Sequence, residues 1–247
     1  MTKAATRKVP KTTSQRTAIR NRGGRVAVRL NDTDQPIETR TEIGGKQAQR
    51  TRGTDVRERI LKVALEYFGT FGFEGTSTRA IAEKAEITHT LVLYHFKSKD
   101  QLWIATVEDA LKKYAHDVET IRVAAAQQSA QEALTKFIEQ FVRMSAEHPQ
   151  IHRLMTMESN QNTSRLEWII EHFVRDHFNF VRDLIRRGQA EGVVRQCDPA
   201  RLYYLIIGAG GTPFTLRTEY KALTGRDVFS DAEILRNIAF IYEIVFI

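Results

Sequence analysis

The apolar residues of this chain recur at helical spacing from Thr54 to the C-terminus, and no other feature constrains the fold as strongly. Residues three or four positions apart lie on one face of a helix, where they can pack against a core. No segment alternates apolar and polar residues as a half-buried strand does. The sequence therefore predicts an all-α protein. The first apolar stripe consists of Ile60, Leu61, Ala64, Leu65 and Phe68.

Capping residues divide the first part of this pattern into short helices. Thr54 is predicted to cap the first helix, and Gly72 to end it in the left-handed conformation, so that Phe73 folds back onto the stripe. Three short helices followed by a longer one predict a small head joined to a larger helical body. The later helices are predicted to begin at Ser77 or Thr78, at Thr88 and at Ser98.

Positive charge is concentrated in the first fifth of the chain. Residues 1–53 hold 13 Lys and Arg against 4 Asp and Glu, whereas residues 54–247 hold 24 against 26. The first segment has few apolar residues, so burial cannot offset the entropy of ordering it. It is predicted to be a basic, disordered tail, and a solvated tail, a nucleic-acid-binding arm and a targeting peptide all fit it. The predicted domains are therefore the tail (1–53), the head (54–100) and the body (101–247).

Several classes of protein are excluded by simple counts. Cys197 is the single cysteine, so neither an intramolecular disulfide nor a cysteine-based zinc site can form, and a reducing, cytoplasmic location is expected. The longest uncharged stretch, residues 202–216, is shorter than the ~20 residues that a membrane span needs, so no membrane partner is expected. His148 and His152 have the spacing of a metal pair, but Pro149 separates them and no third ligand is evident. No metal or cofactor is predicted.

Between residues 56 and 102 the chain carries many residues at fixed spacing. They are Ile60-Leu61-x-x-Ala64-Leu65-x-x-Phe68, Gly72-Phe73-x-Gly75-Thr76-Ser77, Ile81-Ala82-x-x-Ala85 and Tyr94-His95-Phe96-Lys97-Ser98-Lys99-x-x-Leu102. This segment resembles the N-terminal DNA-binding domain of the TetR family of bacterial transcription regulators. The resemblance implies a helix-turn-helix head. The body matches the family's ligand-binding and dimerisation domain in size and helix pattern.

The resemblance also implies which residues contact DNA. The start of the second helix meets the phosphate backbone, and the exposed start of the third helix reaches base edges in the major groove. Tyr94 and His95 match the family's backbone-contacting pair, and Lys97 and Lys99 flank a helix N-terminus that attracts phosphate. The predicted DNA contacts are Thr78, Arg79, Thr88, His89, Thr90, Tyr94, His95, Lys97 and Lys99.

Three positions depart from the family's pattern. Glu86 occupies the turn between the second and third helices, at a position that is commonly glycine in the family. A non-glycine residue there destabilises the turn by on the order of 1 kcal/mol if its φ is positive. Thr90 and Leu93 stand where glycine and tyrosine are frequent, and the aromatic residue comes one place later as Tyr94. Val92 and Phe96 are expected to be core residues rather than contacts.

The body predicts two further features. Residues 202–209 and 234–247 match the helices through which the family forms homodimers, although an ordinary monomer core would also explain their apolar faces. An apolar pocket with a polar handle would bind an unknown small-molecule effector, although the same residues fit a simple core. The candidate effector-binding residues are Phe137, Phe141, Met155, Trp168, His172 and Phe173.

The resulting hypothesis is a sequence-specific DNA-binding regulator that is not an enzyme. The resemblance implies a homodimeric repressor on near-palindromic double-stranded DNA, released when an effector shifts the spacing of the two heads. A DNA-binding activator or architectural regulator without an effector is the alternative. A helical enzyme has no support, because the chain lacks a GxSxG, P-loop, HExxH or dinucleotide-binding motif.

Overall fold

The computed structural model describes residues 43–247, and the prediction of an all-α fold is confirmed within that range. One antiparallel bridge joins Val194 to Phe246, and no strand is formed in the part described. One π-helical turn, Ile170–Val174, lies between two α-helices. The α-helices are α1 (Ile43–Gly75), α2 (Thr78–Lys84), α3 (His89–Phe96), α4 (Lys99–Ala125), α5 (Ala130–Glu147), α6 (Pro149–Ser159), α7 (Ser164–Ile169), α8 (Arg175–Ala190), α9 (Pro199–Thr215), α10 (Arg217–Thr224) and α11 (Asp231–Val245).

The predicted start of the first helix is wrong. Helix α1 begins at Ile43, so Thr54 lies inside it and is not an N-cap. Lys46, Gln47, Ala48 and Gln49 favour a helix before Thr54, and the helix continues through Gly53 although glycine has a low helix propensity. The predicted disordered tail falls mostly on residues 1–42, which lie outside the described residues, and it remains a prediction.

Helix α1 is broken near its end, as the sequence predicted. Gly72 has φ 69° and ψ −179°, a backbone conformation that is open essentially only to glycine. The chain turns back there, and the ring of Phe73 stacks 6.0 Å from that of Phe68. The hydroxyl of Thr76 donates to the carbonyl of Gly72 at 2.7 Å and closes the connection to α2.

The helices enclose two hydrophobic cores. The first, which we call the head core, includes residues of α1 to α3 together with the first half of α4, and Ile151, Leu154 and Ile169 from α6 and α7. The second, the body core, is formed by the end of α4 and by α5, α8, α9 and α11. Tyr114 and Met144 pack against both cores. The predicted boundary at residue 100 falls within the head core, and it remains a prediction about domain organisation.

The body is built around α5, whose buried face lies at the centre of the body core. Helix α9 approaches α5 so closely that a Cβ on Gly210 would lie 2.8 Å from Cδ1 of Phe141. Among the described residues, none of the helices has both the length and the apolar character that a membrane span requires.

Candidate nucleic-acid interface

Helices α2 and α3 form a helix-turn-helix whose geometry is fixed by small and capped residues. The hydroxyl of Ser77 accepts from the backbone N–H of Arg79 at 3.2 Å and begins α2. Ala82 and Ala85 are buried, so α2 can lie close to its neighbours. The backbone N–H of Ile87 donates to the carbonyl of Ala82 at 3.0 Å, which closes the turn.

The turn contains a non-glycine residue with positive φ. Glu86 has φ 54°, which lies in the left-handed region that favours glycine. A side chain there brings Cβ close to the following carbonyl, which costs roughly 1–2 kcal/mol. The turn therefore forms against the backbone preference of its glutamate.

Helix α3 has a buried face and an exposed face. Val92 and Phe96 are buried in the head core, as predicted, while Thr88, Thr90 and Tyr94 are exposed. Tyr94 is 78% exposed, so its phenol is accessible to a binding partner. The exposed face therefore carries hydroxyls and a phenol, which can hydrogen-bond to bases or phosphates.

A hydrogen bond joins the two helices at their N-terminal ends. The hydroxyl oxygen of Thr78 lies 3.0 Å from Nε2 of His89, and the direction of the bond follows the histidine tautomer. Both residues are predicted DNA contacts, so the structure brings a phosphate-contacting and a base-contacting candidate together. The bond occupies Nε2 of His89.

Lys97 lies in a second strained position, between α3 and α4. Its φ is 59° and ψ −43°, and its backbone N–H donates to Leu93 at 2.8 Å. Next to it, the hydroxyl of Ser98 accepts from the backbone N–H of Gln101 at 3.1 Å and caps α4. A lysine beside a helix N-terminus combines a cation with the positive end of the helix dipole, which favours a phosphate.

Lys99 is held against the head, a position that the sequence did not reveal. Its ammonium nitrogen lies 4.4 Å from the centroid of the Phe73 ring and donates to the carbonyl of Glu74 at 3.5 Å. Its positive charge is thus fixed at the connection between α1 and α2. Arg79 is exposed and His95 half-buried, with the His95 ring 5.5 Å from that of Tyr94.

The candidate effector-binding residues are divided between the two cores. Phe137 and Phe141 stack in the body core with centroids 6.2 Å apart. Met155, Trp168 and Phe173 pack against the head core. His172 is exposed and stacks on Trp168 at 4.7 Å, where its Nδ1 lies 2.8 Å from the Trp168 carbonyl. The six residues therefore do not form one group.

Sequence reasoning missed a polar group inside the body core. Nε2 of His177 lies 2.7 Å from the hydroxyl of Tyr114, and Nδ1 lies 3.2 Å from the hydroxyl of Tyr203. Burial, aided by the charge of Arg122, lowers the pKa of His177 to about 4. Burial raises the pKa of Tyr114 and that of Tyr203. The signal in the sequence was a histidine within the apolar stripe between Phe173 and Val181.

Two family models match the chain. Residues 60–106 match the bacterial regulatory proteins of the tetR family, and residues 131–245 match the tetracyclin repressor-like C-terminal domain. The chain belongs to the TetR family of transcriptional regulators. The head of this TetR-family regulator is therefore a DNA-binding helix-turn-helix, as the sequence predicted.

Curated relatives and solved structures agree with this assignment. The chain is 27% identical over 178 residues to the HTH-type transcriptional regulator RutR of Escherichia coli K12, covering 72% of this chain and 82% of RutR. It is 25% identical over 178 residues to the HTH-type transcriptional repressor NicS of Pseudomonas putida, covering 70% and 80%. The structure of AibR in complex with isovaleryl coenzyme A and operator DNA has the same fold. Its TM-score is 0.63 at 14% identity, covering 77% of this chain and 98% of AibR.

Proposed function

We propose that this TetR-family regulator is a homodimeric repressor that a small-molecule effector releases from a near-palindromic operator. The homodimer is supported by a set of exposed apolar residues on and next to α9 and α11. Soluble monomers rarely expose large contiguous apolar patches, and such patches mark interaction sites. These exposed apolar residues are Tyr204 and Leu205 of α9, Leu216 directly after it, Leu235 and Phe240 of α11, and Ile247.

The proposed dimer surface is distinct from the core face of the same helices. Leu202 and Ile206 of α9, and Ile238 and Ile241 of α11, are buried within the chain itself. The other faces remain exposed, and a Cβ on Gly208 would meet no atom within 4 Å. A second copy would bring two such helix pairs together around a twofold axis, which is the commonest symmetry of homo-oligomers.

The proposed operator follows from that symmetry. Two identical heads related by a twofold axis would bind two inverted half-sites, about 34 Å or a multiple of it apart. The residues proposed to contact the phosphate backbone are Thr78, Arg79, Tyr94, His95, Lys97 and Lys99. Thr88, His89 and Thr90, at the start of α3, are proposed to read bases.

The effector is proposed to bind in the body, near the two tyrosines that hold His177. These groups are the polar part of an otherwise aromatic region that includes Phe137 and Phe141. Apolar pockets with a few polar groups are typical of small-molecule sites. Tyr114 packs against both cores, so a ligand that moves it would affect the head as well as the body.

The decisive experiment is selection of DNA bound by the full chain from a random pool at moderate salt. We expect an inverted repeat with one fixed spacing. His89→Ala should change the selected bases, whereas Tyr94→Ala should lower affinity for all sequences about equally. An unenriched pool would refute sequence-specific binding, and a single unpaired half-site would refute the homodimer.

Oligomeric state is tested by sedimentation of the full chain. Phe240→Asp places a charge on the proposed interface and should shift the chain toward monomer, because an unpaired buried charge is strongly unfavourable. Leu223→Asp is the matched control, since Leu223 is an exposed leucine on α10, outside the proposed surface. Equal effects of the two substitutions would contradict the proposed interface.

A reporter gene with the selected operator overlapping its promoter distinguishes a repressor from an activator. Repression predicts lower expression when the regulator is present. Higher expression would favour the activator.

A further inference from the structure

Arg165 of α7 takes part in an ion pair that is almost completely buried. Its Nε lies 3.2 Å from both carboxylate oxygens of Glu158 in α6. The two side chains are 15% and 4% exposed. Separating the two groups would leave an uncompensated buried charge, which is strongly unfavourable. The pair therefore holds the guanidinium in one place.

The same guanidinium reaches the head. Its central carbon lies 3.9 Å from the centroid of the Phe73 ring, and Nη2 lies 4.0 Å from a carboxylate oxygen of Glu74. Phe73 and Glu74 follow the break at Gly72 and directly precede the connection to α2. A body residue is therefore in direct contact with the segment that leads into the helix-turn-helix.

This segment is also held from the DNA-binding side. The Lys99 ammonium, at the start of α4, lies over the same Phe73 ring and donates to the Glu74 carbonyl. The Phe73 ring is 6.5 Å from that of Trp103, which is buried in the head core. A Cβ on Gly72 would lie 3.1 Å from the terminal methyl of Met157 in α6. Phe73 thus lies between Arg165 of α7 and the α4 residues Lys99 and Trp103.

We propose that Arg165 is a positioning residue for DNA binding. By stacking on Phe73 while it is paired with Glu158, it sets the orientation of the helix-turn-helix relative to the body. In a dimer it thereby sets the spacing of the two α3 helices, so this inference rests on the proposed homodimer. The planar guanidinium stacks on Phe73 while its Nε pairs with both carboxylate oxygens of Glu158, and a lysine at this position has neither the planar group nor an Nε–H.

The test compares Arg165→Lys and Arg165→Met with wild type on a series of operators. The series contains the selected operator, versions whose central spacer is longer or shorter by one or two base pairs, and an isolated half-site. We expect wild type to bind the operator with one spacer length most tightly. In both variants the ratio of affinities between that operator and the others should fall about tenfold. Their affinity for the isolated half-site should be retained, because α2 and α3 are unchanged.

Arg175→Met is the matched control. Arg175 also pairs with a glutamate, Glu171, at 3.3 Å, but both side chains are more than half exposed and the pair lies within one helical segment. It should keep the wild-type spacer preference. Phe73→Leu, which removes the ring but keeps apolar bulk, should behave like Arg165→Met, and circular dichroism confirms that each variant is folded.

The possible outcomes separate this inference from the proposed function. If wild type shows a clear spacer preference and the folded variants show the same preference, the proposed role of Arg165 is overturned. The proposed function is then unaffected. An equal loss of affinity for every operator and for the half-site would also overturn it, because that pattern indicates a purely structural role. A wild-type chain that selects no paired half-sites would refute the homodimer, and the inference with it.

Discussion

Two non-glycine residues in the described range have a positive φ, and they lie on either side of α3. Glu86 is in the turn before the helix and Lys97 follows its last residue. Such conformations persist only where the surrounding structure imposes them, and they are common at functional sites. Lys97 stands beside the N-terminus of α4, whereas Glu86 lies in the turn that the backbone hydrogen bonds of Glu86 to Glu83 and of Ile87 to Ala82 close.

Glu86→Gly is therefore expected to stabilise the protein. Glycine adopts positive φ without steric cost, although the greater freedom of the unfolded chain removes part of the gain. We expect the free energy of unfolding to rise by about 0.5–1 kcal/mol, measured by urea denaturation. Glu83→Gly is the control, because Glu83 is equally exposed but lies within α2, where glycine costs about 1 kcal/mol. Destabilisation by both substitutions would contradict the account of the turn.

At the scale of the element, α9 shows how one helix serves two purposes. Gly210 and Gly211 face the interior, where they allow contact with α5 and α6, while Gly208 faces open space. Gly210 and Gly211 are therefore explained by packing within the chain, and only Gly208 lies on the side open to a second copy.

Gly210→Ala should destabilise the protein, because the new Cβ would lie 2.8 Å from the Phe141 ring, which is itself packed against Phe137 and Tyr114. Overpacking of this kind costs about 1–3 kcal/mol. Gly208→Ala should instead leave the folded chain intact, and thermal unfolding measures both. If Gly210→Ala is tolerated as well as Gly208→Ala, the proposed tight contact between α5 and α9 is wrong.

The elements also show what could be predicted from sequence. Capping residues and apolar spacing located α2, α3 and the break at Gly72, because those signals are local. The start of α1 was misplaced because Thr54 is a good cap that the helix passes through. The π-helical turn at Ile170–Val174 and the contacts of Lys99 and Arg165 depend on residues distant in sequence, and periodicity contains no information about them.

At the scale of the whole molecule, Tyr114 and Met144 are where the head core and the body core meet. His177 is held beside this junction by Tyr114 and Tyr203, and it lies close to the rings of both tyrosines and of Phe137. A neutral imidazole satisfies both bonds with one N–H and one acceptor nitrogen. Protonation would place a charge in an apolar core and make both ring nitrogens donors.

The stability of the protein should therefore fall in weak acid. The pKa of His177 is about 4 in the folded chain against an ordinary value of 6.5, so the unfolded chain binds a proton first. This contribution is complete above pH 6.5 and is lost as the pH falls toward 4, by up to about 3 kcal/mol. His177→Gln should flatten that part of the pH profile, measured by chemical unfolding from pH 7.5 to pH 4. An unchanged profile would show that other groups cause the acid sensitivity.

The shared head core has a consequence for protein engineering. DNA-binding domains are often treated as modules that can be fused to a new sensor. A chimera joined after residue 100 would separate Phe68 and Phe96 from Leu102 and Trp103, and from Ile151, Leu154 and Ile169. Each half would then expose apolar surface that it normally buries. A working fusion must carry α4, α6 and α7 with the head, or reproduce their apolar faces in the new partner.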